Sequence, residues 1–388
     1  MKVCIINSGS TVLTIPRAIA LNNYMEVNNF IELGNEIKEH KYLQKIDNMN
    51  VHFFSTTRLT AYKLSKKLKQ LEKDVYIVFF SAGTALISSI LANDRPVVAI
   101  CMGSDVLHLE NKFSLFFKRN FWRDSDILIA KSKNLKKSLL RYNNKLVVDV
   151  NYWGIDKSFF KNIKKQEART LLNLPSKYII LSPRTFSSLY NINLIIDTFI
   201  SYKKKNNNAF LLLIGRISDK VFFSAMKEKF KKNNLVEGID YRIDGHIEYN
   251  KISRYYFASD VALSFASTEG FPTTLFELFK CKCPAIVGYI PSLKDEIINH
   301  NKEVLFSKFD INDISENLHK IYSDQEIRNT LIKNGLKSYN EFGIIENNAK
   351  KLSLVINSLV HKNSLATYYK NIFIYLLEVL YNKFNKKK

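Results

Sequence analysis

The chain has 388 residues, of which 46% are hydrophobic, so it is long enough for two domains with separate cores and is not a disordered chain. Lys and Arg number 58 against 36 Asp and Glu, and the net charge of +22 favours an anionic partner, although a proteome rich in Lys and Asn would give much of the same excess. The lysines are dispersed and no helix-turn-helix, zinc-finger or RNP-type signature occurs, so nucleic acid is not expected as the partner, whereas a nucleotide or an anionic membrane surface is.

The cysteines and the apolar runs indicate the compartment. All four cysteines lie in or beside apolar runs, which is typical of buried thiols in a reducing compartment: Cys4, Cys101, Cys281 and Cys283. The first apolar run is too short for a signal peptide, and no run reaches the roughly 18 apolar residues that a bilayer span needs. The sequence therefore predicts a cytoplasmic protein, soluble or peripheral on the inner face of the cell membrane.

Apolar runs alternate with helical patterns through the first half of the chain. Strands are predicted at 3–6, 51–54, 75–80, 96–101, 126–130 and 146–150, and helices at 16–21, 59–71, 84–91 and 135–140. This alternation is typical of a parallel, doubly wound sheet, which binds ligands beyond the carboxyl ends of its strands. Gly9 lies in the loop after the first strand, where nucleotide-type α/β domains carry a glycine, but a plain turn explains it equally well.

The second half repeats the alternation and ends in helices. Strands are predicted at 178–182, 210–214, 241–243, 261–265, 284–287 and 304–306, and helices at 314–323, 324–334, 347–360 and 368–384. A Lys-rich stretch places a linker near 157–170, so the predicted domains are 1–160 and 170–345, followed by C-terminal helices at 346–388. The last helix is rich in Tyr, Ile, Leu and Phe and precedes three lysines. It either packs back on the first domain or lies on an anionic membrane surface.

The most informative stretch follows the strand at 261–265. Gly270 suits a tight turn, and Pro272, Thr273 and Thr274 suit the N-terminus of a helix. The amides at such an end favour a bound anion, most simply a phosphate or diphosphate. Glu269 in the loop and Glu277 inside the helix place one carboxylate on either side of that anion. Two such acceptors suit a ligand that carries sugar and ribose hydroxyls.

The run Glu269-Gly270-Phe271-Pro272, with Glu277 eight residues after Glu269, resembles the E-x7-E signature of retaining glycosyltransferases of family four. That family has the GT-B fold, with two Rossmann-like, doubly wound parallel-sheet domains facing across a cleft. The resemblance implies that Glu269 binds the donor sugar and that Glu277 holds the ribose. An ordinary loop between strand and helix, with surface glutamates, is the alternative reading.

Two further stretches match the family in part. Gly103 and Asp105 match its H-G-x-D loop, in which Met102 replaces the histidine, so Asp105 is expected to touch the donor sugar or the acceptor hydroxyl. A helix cap is the alternative role for Asp105. Arg184 matches the family's arginine and is expected to grip the diphosphate, with a surface ion pair as the alternative. The family's lysine is missing, because Tyr190-Asn191 occupies its place.

Gly245-His246-Ile247 resembles the family's G-x-V run, which implies that the main chain near Ile247 reads the nucleotide base. Asp124-Ser125-Asp126 has the D-x-D pattern of a metal site in another glycosyltransferase fold. Its carboxylates come before a strand rather than after it, so no metal site is predicted.

The function implied is transfer of a hexose, with retention, from a nucleotide diphosphate sugar to a glycan or lipid-linked acceptor in bacterial surface polysaccharide synthesis. No cofactor and no metal are expected, because Arg184 and the helix N-terminus at Gly270–Thr274 would stabilise the leaving diphosphate. A nucleotide-sugar epimerase of the same fold and a non-catalytic scaffold at the membrane surface are the alternatives.

Overall fold

The structure is a computed structural model of the chain, and it describes residues 1–8, 11–34, 46, 49–55, 59–80, 83–107, 112–361 and 365–385. The chain forms two compact units, one of Met1–Trp153 with Ile345–Lys388 and the other of Gly154–Ile344. Each unit is built on its own parallel sheet, which confirms the predicted α/β class. Gly9 lies outside the described residues, so the position that the family resemblance implies for its loop, near the acceptor and the donor sugar, stays a prediction.

The first unit holds a sheet in the order β3-β2-β1-β4-β5-β6-β7 within the described residues. Its strands are β1 (Lys2–Asn7), β2 (Glu26–Leu33), β3 (Asn50–Phe54), β4 (Val75–Phe79), β5 (Val97–Cys101), β6 (Ile127–Ala130) and β7 (Val148–Val150). The helices among them are α1 (Thr11–Asn22), α2 (Thr60–Gln70), α3 (Thr84–Ala92), α4 (Ser104–Leu107), α5 (Lys112–Arg123) and α6 (Lys133–Tyr142). Alternate residues of β1 enter separate cores on the two faces of the sheet, as a strand covered by helices on both sides requires.

Strand β2 is absent from the sequence prediction. Asn28 and Asn29 interrupt its apolar pattern, so the run does not read as a buried strand. In the structure both asparagine amides donate to the carbonyl oxygen of Glu72, at 2.7 Å and 2.9 Å. Because a carbonyl oxygen distant in sequence accepts from both amide groups, the strand is buried in spite of its polar residues. Helix α5 was also not predicted.

The second unit holds a sheet in the order β10-β9-β8-β11-β12-β13 within the described residues. Its strands are β8 (Tyr178–Pro183), β9 (Ala209–Ile214), β10 (Tyr241–Gly245), β11 (Val261–Ser264), β12 (Ala285–Gly288) and β13 (Leu305–Ser307). Its helices are α7 (Lys165–Leu171), α8 (Ile192–Lys205), α9 (Lys220–Lys232), α10 (Ile252–Ala258), α11 (Thr273–Lys280), α12 (Ile311–Ser323) and α13 (Gln325–Phe342). The chain progresses outward in opposite directions from β8 and from β11, so the switch point of the sheet lies between these two strands.

The unit boundaries differ from the predicted linker. Residues 157–170 are part of the second unit, where Arg169 of α7 donates to the carbonyl oxygen of Ala258 at 2.9 Å and to the carboxylate of Asp260 at 2.6 Å. The first and last residues of this unit are joined, since the amide of Ile155 donates to the carbonyl oxygen of Gly343 at 2.8 Å. The lysines that suggested a linker therefore belong to a packed helix and its approach.

The C-terminal helices α14 (Ile345–Asn357) and α15 (Leu365–Asn385) belong to the first unit. Helix α14 packs on α1, and α15 packs on α3 and α5. The Asp124-Ser125-Asp126 stretch pairs with the segments that lead into and along α15. Asp124 forms an ion pair with Lys370, and Asp126 lies 3.4 Å from the Nδ1 atom of His361.

Candidate functional site

The candidate site lies at the carboxyl ends of β8 and β11, the switch point of the second sheet. Arg184 follows β8 directly and is 8% exposed. Its guanidinium forms an ion pair with Glu269, which comes from the loop after β11, and donates to the Thr274 hydroxyl on α11 at 3.3 Å. The two neighbouring strands thus bring together an arginine and a glutamate that are far apart in sequence.

The Arg184 guanidinium is also held by Tyr190, whose ring centroid lies 4.4 Å from its central carbon. Burial would lower the pKa of Arg184, but the Glu269 carboxylate and its hydrogen bond outweigh burial and raise it. The group is a permanent cation. Among the described residues nothing accepts a hydrogen bond from its buried Nε, so the guanidinium has a donor to spare.

Asn191 fastens the loop that carries Glu269. Its side-chain amide donates to the carbonyl oxygen of Phe265 and to the hydroxyl of Ser267, both at 2.8 Å. The amide of Ser267 donates to the carbonyl oxygen of Leu189 at 2.8 Å. The loops after β8 and β11 are therefore tied by three hydrogen bonds beside the ion pair, which fixes the position of Glu269 relative to Arg184.

Gly215 allows the loop after β9 to lie against Arg184. Its φ is 153°, and a Cβ atom there would come within 2.2 Å of the Arg184 carbonyl oxygen. Its amide donates to the carbonyl oxygen of Gly245 at 2.7 Å, which ties the loop after β9 to the end of β10. Gly270, expected to provide conformational freedom at the turn, is not among the residues with a positive φ, whereas Asn191, Gly215 and Gly245 at this edge of the sheet are.

The predicted stretch around Gly270 forms a buried loop and the start of α11. Phe271 is fully buried and packs on Phe276, with ring centroids 5.0 Å apart, so its side chain belongs to the core. Pro272 precedes the first helical residue, and Thr273 and Thr274, both half-buried, form the first turn. The predicted start of a helix is therefore present, although Pro272, the residue at the N-cap position, makes no side-chain capping hydrogen bond.

Glu277 lies on α11 and is held by two tyrosines. It is 6% exposed, and its two oxygens accept hydrogen bonds from the hydroxyls of Tyr249 at 3.0 Å and Tyr256 at 2.8 Å. Burial and the nearby Glu277 carboxylate raise the pKa of Tyr256 well above its ordinary value. Both rings pack on Phe160, which lies parallel to Tyr256. The two tyrosine hydroxyls therefore hold the Glu277 carboxylate in one orientation.

Ile247 follows β10 and is half-buried in the loop after Gly245. Nearby, burial and the Asp244 carboxylate raise the pKa of Tyr255 to about 12. The Tyr255 hydroxyl is therefore a packed hydrogen-bond donor at this edge of the second sheet.

Asp105 belongs to the first unit, whereas the other site residues discussed above belong to the second. It is 8% exposed, and its Oδ1 accepts hydrogen bonds from the amides of Met102 at 3.0 Å and Gly103 at 2.8 Å. The carboxylate therefore stabilises the turn that leads into α4. This is a local role, like the helix cap given above as the alternative to substrate contact.

Sequence reasoning missed the roles of Tyr190, Asn191, Tyr249 and Tyr256. Tyr190 and Asn191 drew notice as the residues in place of a lysine, but nothing in the sequence indicates that one stacks on Arg184 and the other ties two loops. Tyr256 is buried in the core, and its bond to Glu277 depends on a helix that comes later in the chain.

The chain is similar to known glycosyltransferases in sequence and in fold. Residues 163–338 match the family described as glycosyl transferases group 1. An uncharacterized glycosyltransferase of Methanocaldococcus jannaschii, MJ1178, is 22% identical over 299 residues, which cover 73% of this chain and 76% of that protein. The structure of Anabaena Alr3699/HepE in complex with UDP and glucose matches with a TM-score of 0.79 at 14% identity, covering 92% of this chain and 100% of that one.

A glycosyltransferase from Rickettsia africae matches with a TM-score of 0.75 at 18% identity, covering 94% of this chain and 99% of that one. These structural likenesses show the fold, which is two Rossmann-like α/β domains of the GT-B type. The fold class predicted from the sequence is confirmed.

Proposed function

We propose that the chain, whose residues 163–338 match the family described as glycosyl transferases group 1, is a retaining, family-four hexosyltransferase. The donor is a nucleotide diphosphate sugar, and the acceptor is a glycan or a lipid-linked glycan in bacterial surface polysaccharide synthesis. The enzyme acts in the cytoplasm, peripheral at the inner face of the cell membrane. The observation that carries the proposal is the buried Arg184 beside the N-terminus of α11.

Arg184 binds the diphosphate of the donor in this proposal. A guanidinium can grip phosphate oxygens through two parallel hydrogen bonds, and its buried Nε provides a donor that no described residue uses. The positive end of α11 adds to the same field. Charge that develops on the leaving diphosphate is stabilised by these fixed groups, so the reaction requires neither a metal nor a cofactor.

The sugar is transferred at its anomeric carbon. The bond from this carbon to the diphosphate oxygen breaks, the bond to the acceptor oxygen forms on the same face, and the leaving phosphate takes the acceptor's proton. Glu269 binds donor-sugar hydroxyls and supports the oxocarbenium-like centre, and Asp105 orients rather than attacks. Such a mechanism needs no protein nucleophile.

Glu277 binds the ribose hydroxyls, and the main chain near Ile247 reads the base. The carboxylate oxygens of Glu277 accept hydrogen bonds from two tyrosine hydroxyls, which fixes the orientation of the carboxylate that would bind the ribose. Uridine diphosphate is the first nucleotide to test, because a neighbour of the same fold binds UDP-glucose.

The proposal is tested by calorimetric titration of uridine and guanosine diphosphates into the wild type and Glu277→Ala. We expect one nucleotide to bind the wild type and its Kd to rise at least about tenfold in the variant, since a hydrogen bond to a charged group contributes roughly 1.5–3 kcal/mol. Glu228→Ala, an exposed glutamate of the same unit, is the matched control and should bind like the wild type. A wild type that binds neither nucleotide contradicts the proposal.

Turnover is then followed as nucleotide release from a panel of nucleotide sugars, with and without acceptor. A transferase releases nucleotide much faster with its acceptor present. Release of free epimerised sugar without acceptor would identify an epimerase instead, and binding without any turnover would identify a non-catalytic protein.

A further inference from the structure

Helix α15 has an apolar stripe on its outer side. Tyr369, Phe373, Leu376, Leu377 and Leu380 are 67%, 62%, 49%, 38% and 50% exposed. Their spacing places them within one arc of the helix, along roughly 17 Å of its length. The opposite side packs against the first unit, where Ile374 and Tyr375 are buried in the core. The stripe is therefore a surface separate from that core and not its partly exposed margin.

The apolar surface continues onto α5. Phe116 is 50% exposed and lies beside Phe117, with ring centroids 5.5 Å apart. Phe117 in turn lies 6.1 Å from Tyr381 of α15. We call Phe116, Tyr369, Phe373, Leu376, Leu377 and Leu380 the α15 face. These six side chains form one continuous apolar surface, whereas single exposed apolar residues scattered over a protein would need no explanation.

The helices that form and flank the α15 face are strongly basic. Helices α2, α5 and α15 carry ten Lys and Arg residues, four in α2, four in α5 and two in α15. Their single acidic residue is Glu378, on the inner side of α15, and burial raises its pKa to about 7. The outward charge of these helices is therefore positive.

The basic and apolar parts of this surface adjoin each other. The Lys69 ammonium of α2 lies 5.0 Å from the ring centroid of Tyr368, and the Tyr368 ring lies 5.5 Å from that of Tyr369. Lys63, Lys66 and Lys67 are exposed along the same helix. A polyanion such as a nucleic acid would complement the lysines but not the apolar stripe, whereas an anionic lipid surface complements both.

We infer that the α15 face docks on an anionic phospholipid surface, with the apolar stripe at the boundary of headgroups and acyl chains and the lysines of α2 on the headgroups. Among the described residues no helix is long and apolar enough to cross a bilayer, so α15 would lie along the surface. The inference rests on the proposed function for its purpose, which is to bring the enzyme to a membrane-bound acceptor, and it assigns that attachment to particular residues.

The test is flotation of the full-length protein with phosphatidylcholine vesicles, with and without phosphatidylglycerol. We expect binding to the anionic vesicles that weakens with salt. The triple variant Phe373→Ser, Leu376→Ser, Leu380→Ser should lower the partition coefficient roughly 100-fold, because each half-exposed side chain contributes about fivefold. Its matched control replaces three exposed apolar residues of the second unit, Val221→Ser, Val236→Ser and Ile239→Ser, and should bind like the wild type.

A second variant guards against unfolding of the first. Lys63→Gln, Lys66→Gln, Lys67→Gln should weaken binding to anionic vesicles by roughly fivefold for each lysine, while Lys204→Gln, Lys205→Gln, Lys231→Gln should leave it unchanged. A wild type that does not float with anionic vesicles overturns the inference, as does equal weakening in both members of either pair. A dimer in ultracentrifugation that the serine variant abolishes, without vesicle binding, assigns the face to a second copy instead.

Vesicle binding needs no donor, and calorimetric nucleotide binding needs no vesicle. A chain that floats but binds no nucleotide keeps this inference and removes the proposed function. A chain that binds nucleotide but does not float keeps the proposed nucleotide site and removes this inference together with the membrane location.

Discussion

The three acidic side chains predicted for the site, Glu269, Glu277 and Asp105, find their partners in different ways. In the second unit Glu269 pairs with Arg184 from another strand's loop, and Glu277 accepts from Tyr249 and Tyr256. In the first unit Asp105 accepts from amides two and three residues before it. Long-range partners hold the first pair of acids, whereas a local turn holds the aspartate.

This contrast distinguishes a carboxylate in a ligand site from one that only stabilises a turn. A carboxylate that is bonded by its own loop stabilises that loop whether or not a ligand exists. A buried arginine at a sheet switch point, with a donor to spare, is costly unless a ligand or partner uses it. The second unit therefore carries the stronger prediction of a binding site.

Replacing Arg184 should have the largest effect. We expect Arg184→Ala to lower kcat for sugar transfer by about 10²–10³-fold, since it removes the proposed fixed charge at the leaving diphosphate. Arg184→Lys keeps the charge but not the two-pronged hydrogen bonding, and should recover only part of the loss. Steady-state nucleotide release measures both.

Exposed Arg216→Ala, in the neighbouring loop, is the matched control for general loss of positive charge. If Arg184→Ala turned over like this control, the contrast between the two units would lose its functional meaning.

Tyr256→Phe should have the next largest effect. The variant leaves one oxygen of the buried Glu277 carboxylate without its tyrosine donor, which costs roughly 1–3 kcal/mol of unfolding free energy. Nucleotide Kd should rise as the carboxylate loses its orientation. Urea denaturation and calorimetry measure the two quantities. Tyr249→Phe, at the half-buried partner, should have the smaller effect on stability, and the opposite order would contradict this account of how Glu277 is held.

Glu378 gives the first unit a pH dependence opposite in sign to that of Asp240 and Asp313 in the second unit. Burial raises its pKa from 4.5 to about 7, so between these values the folded chain keeps a proton that the unfolded chain releases. The free energy of unfolding should therefore fall as pH rises from 4.5 through 7, by roughly 1–3 kcal/mol from this residue. Denaturation curves of the wild type and Glu378→Gln at both ends of the range measure this contribution.

Asp240 and Asp313 have the opposite pH dependence, because hydrogen bonds and nearby lysines lower their pKa values in spite of burial. Both residues are present in the wild type and in Glu378→Gln, so their contribution cancels when the two unfolding free energies are subtracted. Equal slopes in the wild type and in Glu378→Gln would show that Glu378 is ionised throughout the range.

Asp105→Asn should have the smallest effect. The amide oxygen can accept the same two backbone hydrogen bonds, so turnover should fall less than about threefold and stability by less than about 1 kcal/mol. Asp105→Ala, which releases both amides, should cost more. A tenfold or larger loss in Asp105→Asn would mean that the negative charge itself acts on the substrate, and would remove the contrast with Glu269.

Much of the architecture was predictable because its signals are local. Alternation of apolar runs with helical patterns identifies most strands of both sheets, and the run from Glu269 to Glu277 identifies the strand, loop and helix that carry the candidate site. Strand β2 was missed because the side-chain amide groups of Asn28 and Asn29 find their acceptor in Glu72, more than forty residues later in the chain.

The residues alone establish the order of elements, the spacing of Glu269 and Glu277 and the basic, apolar character of the last helix, because periodicity and helix-end preferences act over a few positions. Folding establishes that Arg184 meets Glu269, that two tyrosines hold Glu277, and that α14 and α15 return to the first unit. These contacts join residues tens to hundreds of positions apart, and their geometry depends on strand order and packing, which no short stretch of sequence contains.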